Sequence, residues 1–297
     1  MTVPTTAKTT SLTLNAIIFA TDFSLGSQNA GLYARLLAKH FSSKLVMAHA
    51  FTLSQAAMEV EVDQKLVSQQ RKDLQFLLAR KASPLEDKSL EIIFELEDGD
   101  PADAIPQLGD KYGPSLIALG THGGNRIERG LIGSVAEQIL RSTRWPCLTV
   151  GPRVPAVSDT GVPFARILYA TDFTPAAAGA AGFAVSFAES FGAELDVLNV
   201  VPSDAIDHPE RFSEIKNNFY SALDNVVSRE SSSFHDSRSF VKVGKAHQQI
   251  LDHIRERGVD LLVLGIRKTS HLGLQMRTSG AFQLIVDAPC PVLTITG

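Results

Sequence analysis

The chain contains one pattern of residues twice. The segment Ala20 to Ser24 (ATDFS) recurs as Ala170 to Thr174 (ATDFT), each time directly after a short apolar run, and residues 120–150 align without a gap on 265–295. A long internal repeat means that one structural unit is built twice. We therefore expect two domains, unit one at 15–151 and unit two at 164–297, close to the usual ~100–200 residues per domain. A linker rich in turn-forming residues joins them.

Apolar runs of strand length alternate with longer amphipathic stretches in both units. For unit one the pattern predicts strands at 16–20, 44–50, 90–96, 115–119 and 146–150 and helices at 27–41, 59–82, 102–112 and 134–143. For unit two it predicts strands at 166–170, 194–200, 237–243, 260–264 and 291–296 and helices at 176–191, 209–231, 246–257 and 279–287. Strands that alternate with helices predict an α/β fold with a parallel sheet and right-handed crossovers.

The composition excludes several classes of protein. Hydrophobic residues make up 44%, charged residues 20%, and the net charge is -4, so nucleic acid is not indicated as a partner. No apolar run approaches the ~20 residues that cross a bilayer, and the polar first ten residues lack the apolar core of a signal peptide. We expect a cytoplasmic protein whose two cysteines, Cys147 and Cys290, are buried free thiols.

A glycine-rich element follows the fourth predicted strand of unit one. Residues 120–134 have the pattern G-x-x-G, nine further residues, then G-S, and they lead into the last predicted helix. Glycines between a strand and a helix N-terminus let backbone N–H groups approach an anion, and the helix dipole favours negative charge there. The spacing is neither that of Walker A nor G-x-G-x-x-G. It indicates a site for a phosphate chain.

The acidic residue after the first strand is the second candidate of the site. If strands one and four flank the point where the winding direction reverses, Asp22 and Gly120 meet across one crevice, which would suit a nucleotide. Simpler interpretations stay open. Asp22 could be a turn residue, because Asp172 persists in unit two; Gly120 and Gly123 could serve a tight turn; Ser134 could be a plain N-cap; and His49 could pack or bond to backbone.

These elements together resemble the universal stress protein family, in particular its members with two domains in one chain. The ATDFS segment, His49 at the end of strand two, Gly99 after strand three and the full glycine element carry the resemblance. The family implies two tandem Rossmann-like domains, each a five-stranded parallel sheet of order 3-2-1-4-5 with helices on both faces. It also implies ATP as the ligand of an intact motif, with Mg²⁺ optional.

The resemblance assigns a place to each residue of the ATP site. Ala20, Thr21 and Asp22 would lie around the adenine and ribose, and Ala50 would contact the base edge. Gly120, Gly123, Gly124 and Asn125 would line the ribose and triphosphate path. Gly133, Ser134 and Val135 would hold phosphates at the N-terminus of the last helix.

Unit two has lost the glycine motif. Gly265 aligns with Gly120 and Ser279 with Ser134, but Lys268 replaces Gly123 and Thr278 replaces Gly133. Added side chains at positions of close approach would occupy ligand space. We expect one adenine nucleotide per chain, and the resemblance implies that unit two is a pseudo-dimer partner that packs through the fifth strands. Dimerisation of the whole chain is an option that no specific residue supports.

The resemblance favours a nucleotide-binding stress-response or signalling module. Two alternatives stay open: a slow ATP hydrolase, and a nucleotide-free scaffold that binds a partner. Phosphoryl transfer needs a positioned water or nucleophile, and no base stands near the phosphate cradle. No catalytic residue is assigned, and the His and Cys residues show no metal-ligand spacing.

Overall fold

The computed structural model describes residues 12–51, 64–121, 132–157, 164–203, 238–267 and 280–297, together with residues 210 and 217, which are helical. Unit one contributes β1 Ala16–Ala20, α1 Leu25–Phe41, β2 Lys44–Phe51, α2 Gln64–Ala82, β3 Ile92–Asp98, α3 Pro101–Tyr112, β4 Ser115–Gly120, α4 Ser134–Ser142 and β5 Cys147–Val150. Unit two contributes β6 Arg166–Ala170, α5 Pro175–Phe191, β7 Glu194–Val201, β8 Arg238–Val243, α6 Ala246–Arg257, β9 Leu261–Ile266, α7 Gly280–Asp287 and β10 Val292–Thr296.

The predicted elements agree with these bounds, with small shifts at the ends. The first helix begins at Leu25, two residues earlier than predicted, because Ser24 is its N-cap and accepts a hydrogen bond from the N–H of Ser27 at 3.2 Å. The third strand lies at 92–98, two residues later than 90–96. The predicted helix at 209–231 falls almost wholly outside the described residues.

The ten strands of the described residues belong to one sheet. The order is β3-β2-β1-β4-β5-β10-β9-β6-β7-β8, so each unit has the sequence 3-2-1-4-5 in its own numbering. Neighbouring strands within a unit are parallel, whereas β5 and β10 are antiparallel, with Leu148 opposite Leu293. The threonines flanking this pair bond across the junction: Thr149 Oγ1 donates to the Val292 carbonyl at 3.0 Å.

Apolar side chains cover both faces of the sheet, as continuously apolar inner strands predict. On one face, α1 and α5 pack over a core that runs from Ile17 to Val263 without a break between the units. On the other face, α3, α4, α6 and α7 cover residues such as Ile18 and Leu262. The edge strands β3 and β8 are only partly buried because each has a neighbour on one side.

A cluster of aromatic rings joins α1 to α5 at the domain boundary. Phe41 contacts Phe187 and Phe191, with ring centroids 5.6 and 5.8 Å apart, and Phe164 lies 5.1 Å from Phe191. His40 stacks on Phe191 at 3.8 Å, and burial lowers its pKa. Together with the β5–β10 pairing, this cluster gives the two units a shared apolar interior.

The first residues of the linker also pack on unit one. Asn29 Nδ2 donates to the carbonyl of Val154 at 3.0 Å, and the Tyr33 hydroxyl donates to that of Pro155 at 3.3 Å. Arg153 contacts Asp287 of α7 at 2.9 Å, so the linker is held by both units. No helix within the described ranges combines the length and apolarity that a bilayer crossing requires.

Candidate functional site

A cavity of about 310 Å³ opens in unit one where β1 and β4 end. It lies at the point where the sheet order reverses, because the chain moves from β1 outward to β2 and β3 and then crosses to β4 on the other side. In open parallel sheets this crevice is where ligands bind. The described lining consists of Ala20, Thr21, Asp22, Ser27, His49, Ala50, Pro101, Ile105, Leu119, Gly120, Thr121, Gly133, Ser134, Val135, Ala136 and Ile139.

The turn after β1 presents Asp22 to this cavity. Asp22 Oδ1 accepts from the backbone N–H of Ser24 at 3.0 Å and from its hydroxyl at 2.5 Å. Thr21 Oγ1 accepts from the N–H of Phe23 at 3.0 Å, and Phe23 has a φ of 64°, in the left-handed region. Asp22 is therefore a turn residue, as the simpler interpretation holds. The turn uses one carboxylate oxygen, Oδ1, and leaves Oδ2 for another partner.

His49 of β2 is hydrogen-bonded to the same turn. Its Nδ1 lies 2.8 Å from the carbonyl oxygen of Thr21, which is an acceptor, so Nδ1 carries the proton and donates. The imidazole also packs on the Phe23 ring, with centroids 4.4 Å apart. The expectation that His49 bonds to backbone is confirmed. Since this bond uses only Nδ1, the cavity that His49 lines has Nε2 as its available ring nitrogen.

Gly120 is required by packing as well as by position. A methyl group there would lie 2.8 Å from the carbonyl oxygen of Gly26, which is closer than a real Cβ approaches backbone. The last residue of β4 thus lets the first turn of α1 lie directly against the sheet. The tight-turn alternative for Gly120 is therefore wrong: the residue belongs to β4, and a close helix contact explains it.

The N-terminus of α4 forms the opposite wall. Gly133 is the N-cap and has no side chain that could cap the helix; its own N–H donates to the carbonyl of Thr121 at 2.7 Å. Its φ of -61° and ψ of 142° are open to any residue, so Gly133 is not demanded by backbone strain. Ser134 and Val135 begin the helix and are exposed. Backbone donors at such a helix start suit an anion.

The structure brings eight of the predicted site residues to this one cavity. They are Ala20, Thr21, Asp22, Ala50, Gly120, Gly133, Ser134 and Val135. Three others, Gly123, Gly124 and Asn125, lie outside the described residues. The main addition that the sequence analysis missed is α3, which supplies Pro101 and Ile105 to the apolar side. Its signal was present: Asp100 precedes Pro101 and caps the helix, accepting from Ala102 N–H at 2.8 Å.

Few ionisable groups occur among the described residues that line the cavity. Asp22 is the sole carboxylate among its described lining residues. Within the ranges that the structure describes, no group of three or more His, Cys, Asp or Glu side chains is placed to hold a metal ion.

Cys147 and Cys290 are both buried and free, as expected, and burial raises the pKa of the Cys290 thiol to about 12. Such thiols are poor nucleophiles at neutral pH.

The fold and the cavity define the class of protein: two Rossmann-like α/β domains, at least one of which has a cavity at its switch point. The model of the universal stress protein family matches this chain twice, at residues 13–151 and 163–296. The chain therefore belongs to the universal stress protein family and carries two of its domains in tandem.

Individual relatives agree with this assignment. Universal stress protein MJ0531 of Methanocaldococcus jannaschii is 30% identical over 136 residues, covering 45% of this chain and 80% of its own. Universal stress protein YxiE of Bacillus subtilis is 28% identical over 148 residues, covering 44% and 99%. A universal stress protein structure from Archaeoglobus fulgidus superposes with a TM-score of 0.73 at 20% identity, covering 96% of this chain and 99% of that one, which supports the tandem fold.

Proposed function

We propose that unit one binds ATP or a related adenine nucleotide, and that the protein acts through this binding as a stress-response or signalling module. The observation that carries the proposal is a single cavity lined by Asp22 on one side and by the uncapped start of α4 on the other. A carboxylate suits ribose hydroxyls, and helix-terminal N–H groups suit phosphate. The two halves of a nucleotide need these two chemistries side by side.

The apolar part of the cavity fits the base. Ala50, Ile105 and Leu119 contribute apolar surface, and such surface with few polar groups is typical of small-molecule sites. We expect the base near Ala50, the ribose near Asp22, and the phosphates at Gly133, Ser134 and Val135. Gly123, Gly124 and Asn125 complete the proposed set.

Mg²⁺ is an optional part of this proposal. In nucleotide sites Mg²⁺ is usually held by one or two carboxylates together with the phosphates. Asp22 Oδ2 is the available carboxylate oxygen in the described part of the cavity, so it fits one such ligand position. When bound, the ion would neutralise phosphate charge. Binding should be measured with and without Mg²⁺.

Unit two is proposed as the pseudo-dimer partner of unit one rather than as a second ATP site. The antiparallel β5–β10 pairing and the α1–α5 aromatic cluster support this role. Thr278 and Lys268, at the places of Gly133 and Gly123, add bulk where phosphate would approach. We therefore expect titration to saturate near one nucleotide per chain.

The test is calorimetry with ATP, AMP and cAMP on the purified chain, after any co-purified nucleotide has been released and identified. The decisive variant is Gly133→Thr, which imports the unit-two residue where the backbone accepts it. It should lower ATP affinity by at least about tenfold, because the added side chain would prevent one hydrogen bond to a charged phosphate, and such a bond contributes roughly 1.5–3 kcal/mol. Gly179→Thr is the matched control, because a Cβ there meets nothing within 4 Å.

Three results would contradict parts of the proposal. If the wild-type protein binds none of the three nucleotides, the proposed function is wrong. If Gly133→Thr, Gly179→Thr and the wild type bind ATP with equal affinity, the proposed position of the phosphates is wrong. A stoichiometry of two equal sites would show that unit two accommodates ATP despite Lys268 and Thr278.

A further inference from the structure

Unit one has a second cavity on the opposite face of the sheet. It measures about 260 Å³ and lies between α1, the ends of β1 and β2, the last turn of α2 and the 3₁₀ turn Ser83–Leu85. Its described lining is Phe19, Thr21, Phe23, Gln28, Leu32, Met47, Arg80, Lys81, Pro84 and Leu85. Thr21 lines both cavities, but the apolar side chains of this one belong to the α1 face of the core.

The floor of the second cavity is apolar and firmly packed. Phe19, Met47 and Leu85 are at most 3% exposed and are the most deeply buried apolar residues of its lining. Gly31 makes room for this floor, because a methyl group there would lie 2.9 Å from the Phe19 ring. Leu32 and Phe23 are only partly buried and form the upper wall. A cavity with such a lining favours a ligand with an apolar body.

The rim of the cavity is cationic. Its cationic lining residues are Arg80, which is exposed, and Lys81, which is half-buried, so both lie on its solvent-facing side; neither has an acidic partner among the described residues. Nearby cations differ in this respect: Arg71 of the same helix contacts Asp98, and Lys39 of α1 contacts Asp87 at 2.6 Å. No carboxylate occurs in the described lining. Cations at the end of a helix complement its dipole, but here they also flank an open apolar space.

We infer that this cavity is a second binding site, for a small amphipathic carboxylate with an aliphatic or aromatic body. The body would lie on Phe19, Met47 and Leu85, and the carboxylate would meet Arg80 and Lys81 at the rim. The volume is below the roughly 300–1,000 Å³ of drug-sized sites, which limits the ligand to a small one. The inference does not depend on nucleotide binding at the first cavity.

The test uses octanoate as the probe and octanol as its uncharged counterpart, measured by calorimetry on the full chain. We expect saturable octanoate binding near one per chain, weaker binding of octanol, and no displacement of octanoate by saturating ATP. Arg80→Glu with Lys81→Glu should weaken octanoate by at least about tenfold, since two attractive charges become repulsive. Lys72→Glu, an exposed cation two turns earlier on α2, is the matched control and should change affinity less than about twofold.

A second measurement locates the probe. The chain has four methionines, and with ¹³C-methyl labelling the Met47 signal, assigned through Met47→Leu, should shift most on octanoate addition. Gln28→Trp, at an exposed position of the lining, should obstruct the mouth and reduce binding without altering the core. The inference is overturned if octanoate shows no saturable binding, if ATP displaces it, or if octanol binds equally well. It is also overturned if the Arg80→Glu, Lys81→Glu double variant and Lys72→Glu bind octanoate with equal affinity.

Discussion

The turns after β1 and β6 are nearly identical, although the motif that follows β4 is missing after β9. Asp172 Oδ1 accepts from Thr174 N–H and hydroxyl at 3.0 and 2.7 Å, as Asp22 does from Ser24. Phe173 has a φ of 59°, against 64° for Phe23. The carbonyl of Thr171 is braced by Asn199 at 2.8 Å, the same distance at which His49 braces Thr21. The acidic turn is therefore part of the scaffold in both units.

The shared glycine at the end of the fourth strand leads to the same conclusion. Gly265 packs against the start of α5 even more closely than Gly120 packs against α1, and a methyl group there would overlap the carbonyl of Ala176. Two features that look like ligand chemistry in the sequence thus persist where the rest of the motif is absent. Gly133 and Gly123, which differ between the units, are therefore the more informative positions for ligand binding.

The units also differ inside their cores. In unit two Asp196 is fully buried and accepts from His253 Nε2 at 3.1 Å and from Arg257 Nε at 3.0 Å. Burial raises the pKa of this carboxyl, but the bonds from His253 and Arg257 outweigh burial and hold it below its usual range. Unit one has Val46 and Leu108 at the places of Asp196 and His253. One unit therefore uses a buried ionic cluster where the other uses plain packing.

The largest expected loss of stability comes from removing the carboxylate of this buried ionic cluster. Asp196→Ala should lower the free energy of unfolding at pH 7 by about 3–5 kcal/mol, because it leaves His253 and Arg257 without their carboxylate. His253 Nδ1 already has no partner among the described residues, so the variant would leave both ring nitrogens unpaired. Urea unfolding followed by circular dichroism measures the change. A loss under about 1 kcal/mol would show that the cluster is not coupled to stability.

The triple variant Asp196→Val, His253→Leu and Arg257→Tyr is the control, since it imports the unit-one residues at all three places and leaves no member of the ionic cluster behind. Replacing a buried ionic group by apolar residues is often neutral, so we expect it within about 1 kcal/mol of wild type. pH adds a second check. A carboxyl with a lowered folded pKa stabilises above its unfolded pKa of about 3.9 and loses that contribution as pH falls through the folded value. The deficit of Asp196→Ala should therefore shrink below about pH 4.

The next largest loss of stability is expected from replacing Gly265 or Gly120, the glycines at which a helix packs closely against the sheet. Gly265→Ala should destabilise by about 3 kcal/mol or more and Gly120→Ala by about 1–2 kcal/mol, since overpacking against backbone typically costs 1–3 kcal/mol. The order follows from the closer approach of Gly265 to its helix. Thermal unfolding of both variants measures it, with Gly179→Ala as a control in open space. An equal cost at both sites, or a larger one at Gly120, would contradict the comparison.

The repeat and the alternation of strand and helix patterns were enough to predict the α/β class and the bounds of most elements to within two residues. Helix α1 begins two residues before its predicted start and α5 one residue before, because the N-caps Ser24 and Thr174 fix these starts through local hydrogen bonds. The contribution of α3 to the site was missed, since Pro101 and Ile105 approach Asp22 only through the sheet crossover. The buried Asp196 cluster was missed for a similar reason: its partner His253 is 57 residues away.

Removing the aspartate of each turn should have the smallest effect on stability, and it best distinguishes a structural role of that aspartate from a role in ligand binding. Asp22→Ala and Asp172→Ala each remove the same two turn bonds to the residue at the N-cap, at exposed positions. Each should cost about 0.5–1.5 kcal/mol of unfolding free energy, and the two costs should be similar. Only Asp22→Ala should also weaken ATP, by roughly tenfold for one lost hydrogen-bonded group. If Asp172→Ala weakens ATP as much, the loss reflects turn stability rather than contact. If neither does, Asp22 is scaffold alone, and binding rests on Gly133, Ser134 and Val135.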